Sequence, residues 1–163
     1  MKDLDFLNKL KIEHKLELIE PSESLAESYE KKSGNCLISA KILFKSTLFE
    51  NAIGETYYSI YNSIQSLFFK CGIKCENHSG VALILKIVFH LREIYAIFSK
   101  AKEERIDKQY YTPAMQTNPA TKESAQDLIN LAERFTLSIN DYKRNLKLED
   151  INKIRAEFKE LTS

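Results

Sequence analysis

The chain is poor in the residues that build turns. It has 4 Gly and 3 Pro in 163 residues, which excludes an all-β sandwich or barrel with its many tight connections. Trp is absent, and the 3 Cys are an odd count without framework spacing. That argues against a disulfide-stapled secreted domain and for a reducing, cytoplasmic setting. Neither sign of charge dominates: 24 Lys and Arg face 23 Asp and Glu, a net of +1. A broadly basic nucleic-acid coat protein is thereby excluded, while a local patch is not. Long apolar runs are missing too. The longest charge-free stretch, Thr56 to Phe69, has 14 residues and carries Ser, Asn, Gln and Tyr, whereas a membrane helix needs about 20 mostly apolar residues. No membrane association is expected. The N-terminus lacks the apolar core of a secretion signal, and no phosphate-cradling Gly loop, HExxH or nucleophile elbow occurs.

What the chain does have is helical periodicity and enough apolar residues, 44%, to bury a core. Residues 1–20 read as a helical lead-in ended by Pro21, with Leu4, Phe6, Leu7, Leu10, Leu16 and Leu18 spaced to lie on a main body. Residues 21–163 read as one bundle domain. Ser24-Leu25-Ala26-Glu27 has the form of a capping box and opens a helix to about Leu48, with Leu37, Ala40, Phe44 and Leu48 on one face. Ile53, Tyr57, Ile60, Ile64 and Leu67 form the seam of a second helix from about Glu50 to Cys71, stopped by Gly72. A third helix is expected from Ser79 to about Lys102. A long loop from Asp107 to Thr121 is of functional interest for its length alone. Ala125, Leu128, Ala132, Phe135 and Ile139 mark another helix, and Ile151, Ile154, Phe158 and Leu161 a short terminal one. The sum is an all-α, antiparallel up-and-down bundle of four to five helices.

Several residues carry chemistry. Cys71-x3-Cys75-x2-His78 is the cluster with metal-capable ligands, but zinc takes four and no fourth lies nearby, so the expectation is no metal, with the thiols buried in a turn. No cofactor is expected either. His78 opens a helix, where the imidazolium is disfavoured, and it is the candidate acid/base group. Tyr57 and Tyr61 lie four apart on one helix face, where aromatics stack a base or fill a core. Tyr110 and Tyr111, in the long loop, are better placed for binding than for core. Lys74 is a candidate source of positive charge. Lys100, Lys102, Arg105 and Lys108 form a basic run nearly cancelled by Glu103, Glu104 and Asp107, which reads as a solvated helix end.

Taken together, Ser39-Ala40-Lys41, Ala52 to Ser63 with Tyr57-Tyr58, Leu67-Phe68-Phe69-Lys70-Cys71-Gly72 and Asn77-His78-Ser79-Gly80-Val81 resemble the motifs of the HEPN domain family. Arg105 followed by Tyr110 resembles its Arg-x4-Tyr segment, and Ala125 to Ile139 is similar to its closing helix. The resemblance spans roughly Ala26 to Asp141 and is strongest to a small prokaryotic branch associated with minimal nucleotidyltransferases. It implies a helical bundle, often a homodimer, that binds RNA or nucleotides, and in many members a toxin–antitoxin pairing. Catalytic members are metal-independent ribonucleases with Arg, four to six residues, then His. In this chain the first Arg is Arg92 and all three His precede it, so that motif is absent. The branch often has Arg where Gln65 stands. The expectation is therefore a non-catalytic member binding RNA, a nucleotide or a partner protein through Tyr57, Tyr61, Lys74, His78, Arg105, Tyr110 and Tyr111. The alternatives are a ribonuclease using His78 and a scaffolding helical protein.

Overall fold

In the computed structural model, which describes residues 2–106, 108 and 119–161, the chain folds as helices around one long central helix. The order is α1 (Lys2–Ile12), β1 (Leu16–Leu18), α2 (Glu23–Lys45), α3 (Phe49–Cys71), β2 (Ile73–Cys75), α4 (His78–Ile87), α5 (Arg92–Arg105), α6 (Lys122–Asn145) and α7 (Leu148–Leu161). The all-α class stands, with seven helices among the described residues. None of these is long and apolar enough to cross a membrane.

The periodic apolar positions explain α3. Ile53, Tyr57, Ile60, Ile64 and Leu67 are all fully buried. Helix α3 is covered on nearly every side, so its polar residues must be satisfied internally. Ser33 Oγ donates to Ser59 O at 2.7 Å and Ser66 Oγ to Ala26 O at 2.6 Å, which pins α2 to α3. From α6, the buried Lys143 donates to Ser66 Oγ at 2.7 Å and pairs with Glu30. An αL residue, Gly72, ends α3 at φ 70°.

Three expectations need correction. The helix cap at the start of α2 is Ser22, not Ser24: Ser22 is extended (φ −135°, ψ 106°) and its hydroxyl accepts from Leu25 N. Pro21 favours an extended residue before it and leaves Ser22 as the last non-helical position. Leu16 and Leu18 belong to a strand, not a lead-in helix. That strand pairs antiparallel with β2, Leu16 opposite Cys75 and Leu18 opposite Ile73. The expected third helix is two helices, broken at His90, whose φ is 56°.

The lead-in is part of the core. Leu7, Leu10 and Leu16 are buried with Val81, Ala82, Leu85 and Phe158. The chain is further tied down where Ile19 N donates to Gly72 O at 2.8 Å and Ser22 N to Phe69 O at 2.9 Å. Arg155 of α7 closes the region by donating to the carbonyls of Ile19 (2.7 Å), Cys71 (3.0 Å) and Gly72 (3.3 Å). The basic run on α5 is only partly solvated: Lys108 is 1% exposed and pairs with Glu104.

Candidate functional site

Three helices converge on a cluster of rings beside two cations. Helix α3 contributes Tyr57, Tyr58 and Tyr61. The N-terminus of α4 presents His78, fixed by Asn77, whose side-chain oxygen accepts from Gly80 N at 2.9 Å. Gly80 is needed there, because a Cβ would lie 2.6 Å from Leu10 Cδ1 and 2.9 Å from Cys75 Sγ. Helix α5 supplies Phe98, Lys102 and Arg105, spaced to share one face.

His78 stacks on Tyr61 with ring centroids 4.3 Å apart and planes 14° from parallel, and its Nδ1 is hydrogen-bonded to the Tyr57 hydroxyl. Phe98, fully buried, stacks behind Tyr57 at 5.8 Å. The Arg105 guanidinium lies 5.0 Å from the Tyr57 ring centre and 4.8 Å from that of Tyr58. It also donates to the Tyr58 hydroxyl at 2.8 Å. Lys102 Nζ donates to Ser79 Oγ at 2.8 Å. Gln65 bridges Tyr61 Oη (2.7 Å) and Cys75 O (2.8 Å), so the position where the branch often has Arg here holds the tyrosine to β2.

The electrostatics set the protonation states. Burial, then Arg105 and Lys102, lower the His78 pKa from its ordinary value of 6.5, so the imidazole is neutral at pH 7. With Nδ1 engaged by Tyr57, Nε2 has no hydrogen-bond partner among the described residues. Burial pushes the Tyr61 hydroxyl up to about 12, which keeps it protonated. The depressed His78 pKa makes a stability prediction. The unfolded chain takes up a proton at this residue near pH 6.5, while the folded chain does so only at lower pH. The contribution is thus complete above pH 6.5 and lost as pH falls through the folded pKa. Urea midpoints at pH 7.5 and 5.0 are expected to drop less in His78→Gln than in wild type; equal drops would refute the role.

The structure brings Tyr57, Tyr61, His78 and Arg105 of the candidate set together with Tyr58, Ser79, Phe98 and Lys102. Lys102 and Arg105 carry an i, i+3 signal in the sequence; Phe98 reads there only as core. Lys74 is instead held on the two-stranded sheet by Glu17 (3.3 Å) and Glu76 (3.1 Å). Tyr110 and Tyr111 lie outside the described residues. Cys71, Cys75 and His78 are not assembled as ligands, and no group of three or more His, Cys, Asp or Glu that could hold a metal occurs among the described residues. Burial raises the Cys71 thiol to about 12 and the Cys75 thiol to about 11, which disfavours the thiolates a metal requires.

Comparisons with known proteins bear on the same helices. A family model described as HEPN domain matches residues 26–142, from early α2 into the last turn of α6. The chain is 30% identical over 116 residues to a Methanocaldococcus jannaschii protein named as a candidate toxin, covering 68% of this chain and 81% of that protein. It is 24% identical over 130 residues to a UPF0332 protein of Thermotoga maritima, covering 77% of this chain and 96% of that protein.

Proposed function

Because this chain belongs to the HEPN domain family, we propose that it is a toxin-type RNA-binding protein that holds an RNA phosphate at Arg105 and Lys102 beside His78. One observation carries the reading: a guanidinium, an ammonium, a neutral imidazole and stacked tyrosines share one half-buried cluster on α3, α4 and α5. Arg presents a fork of donors matched to phosphate, Lys a compact charge, and the partly exposed Tyr58 and Tyr61 a stacking surface of the kind that single-stranded bases use. Lys102 has a hydroxyl and no carboxylate as its partner among the described residues, so its charge is available to an anion. The name of the archaeal relative supports the toxin setting. The proposal extends to a symmetric dimer and to a restraining partner of the minimal nucleotidyltransferase type, on the strength of the family resemblance.

A specific feature favours cleavage as a second reading. With Nδ1 engaged by Tyr57, His78 Nε2 has no hydrogen-bond partner among the described residues and the imidazole is neutral, as a general base must be. Such a base would take the proton of a ribose 2′-hydroxyl whose oxygen attacks the adjoining phosphorus, with Arg105 offsetting the phosphorane charge and the 5′-oxygen leaving. Titration of single-stranded RNA in EDTA separates the cases. The expected result is salt-sensitive binding, weakened about tenfold or more by Arg105→Ala, without strand scission. Scission abolished by His78→Ala establishes the second reading. Absence of binding at low salt overturns both.

A further inference from the structure

A cleft of about 500 Å³ lies directly beside the Tyr–His–Arg cluster, between α1, α4 and α5. Its sides are Phe6 from α1, Leu83 from α4 and Tyr95 from α5, and its polar groups are the Ser79–Lys102 pair, Ser99 and the carboxylates of Glu103 and Asp3, the latter paired with Lys86. Glu103 is exposed and has no ion-pair partner among the described residues. Ser79 follows His78 in the chain, and Lys102 lies one helical turn before Arg105 on α5. The polar end of the cleft therefore adjoins the proposed phosphate site.

We propose that this cleft holds the base of a bound nucleotide, with its phosphate between Lys102 and Arg105. The proposal rests on the RNA-binding reading and specifies how that site would select among bases. The argument is one of matching chemistry. The size is that of a small-molecule site and not of a helix-binding groove. Aromatic side chains from two different helices, Phe6 and Tyr95, line the cleft, and aromatic rings are the partners on which bases stack. A purely apolar ligand would leave Lys102, Ser79 and Glu103 unmatched, whereas a base offers N–H donors to the carboxylate while its phosphate meets the ammonium. Phe6 belongs to α1, outside the residues 26–142 that match the family model. Base preference in this chain thus depends partly on a segment that the shared bundle does not contain.

The test is fluorescence anisotropy of a labelled single-stranded RNA of mixed sequence. Adenosine, guanosine, cytidine and uridine monophosphates serve as competitors, against wild type, Phe6→Ala, Leu83→Trp and Arg105→Ala. Circular dichroism checks that each variant is folded. The expected result is about tenfold weaker RNA binding for Phe6→Ala, which removes a stacking face, and a comparable loss for Leu83→Trp, which fills the cleft without emptying the core. Unequal competition by the monophosphates is also expected and identifies a free nucleotide as a ligand in its own right. With competition by none of them, the RNA strand is the source of the base. If wild type binds RNA and both cleft variants bind as tightly, while Arg105→Ala does not, the cleft proposal fails and the phosphate site survives. If wild type binds neither RNA nor monophosphate, both fail.

Discussion

Removing residues 2–20 is expected to leave a chain that no longer unfolds cooperatively. Leu7, Leu10 and Leu16 are 0%, 2% and 0% exposed. Truncating a buried Leu to Ala costs about 2–5 kcal/mol, so losing all three side chains removes about 6–15 kcal/mol, as much as a domain's entire stability of roughly 5–15 kcal/mol. The deletion also strips β2 of its partner strand and uncovers Val81, Ala82 and Leu85. Urea denaturation followed by circular dichroism tests this, with Leu7→Ala as the graded version, expected to lose about 2–5 kcal/mol by itself. A truncated chain with the wild-type midpoint would show that the segment is ornamental.

Gly72→Ala is expected to cost about 2–5 kcal/mol, adding left-handed strain of about 1–2 kcal/mol to overpacking of about 1–3 kcal/mol. Gly72 sits at φ +70°, and an added Cβ would fall 2.1 Å from Arg155 Nη1, 2.4 Å from Ile19 O and 2.8 Å from Pro21 N. Two of those neighbours are backbone and cannot simply rotate away. Moving them breaks the bond from Ile19 N to Gly72 O and those that Arg155 makes. Gly34→Ala is the matched control. Gly34 lies inside α2 with nothing within 4 Å of its Cβ position, and the change is expected to stabilise by about 0.5–1 kcal/mol through helix propensity. Similar effects at both glycines would refute the packing account.

The bundle was legible because its signal is dense. Ala125, Leu128, Ala132, Phe135 and Ile139 repeat over four turns, and every one is buried. The two-stranded sheet was not, because each strand has three residues, too short for an alternation to register, and the two lie more than fifty positions apart. The break between α4 and α5 has no Pro or Gly to announce it. It depends on His90 accepting φ 56°, which His does more readily than most residues. At the site, Tyr57 and Tyr61 announce themselves by spacing. The approach of Arg105 to them is a tertiary event, and nothing in the intervals among positions 57, 78 and 105 encodes it. Lys108 reads as solvated from its charge, and its burial against Glu104 follows from packing alone.

The Arg155 bond to the Ile19 carbonyl joins residues 136 positions apart and gives the molecule a schedule. A ribosome releases the acceptor 136 residues before the donor. Until Arg155 emerges the carbonyls around Gly72 must be satisfied by water, and the two-stranded sheet stays unlocked. Helix α7 therefore acts as a clasp on a segment made well before it. A nascent chain stalled before Arg155 would be the form most exposed to a protease, with its amino-terminal segment the first to be cut.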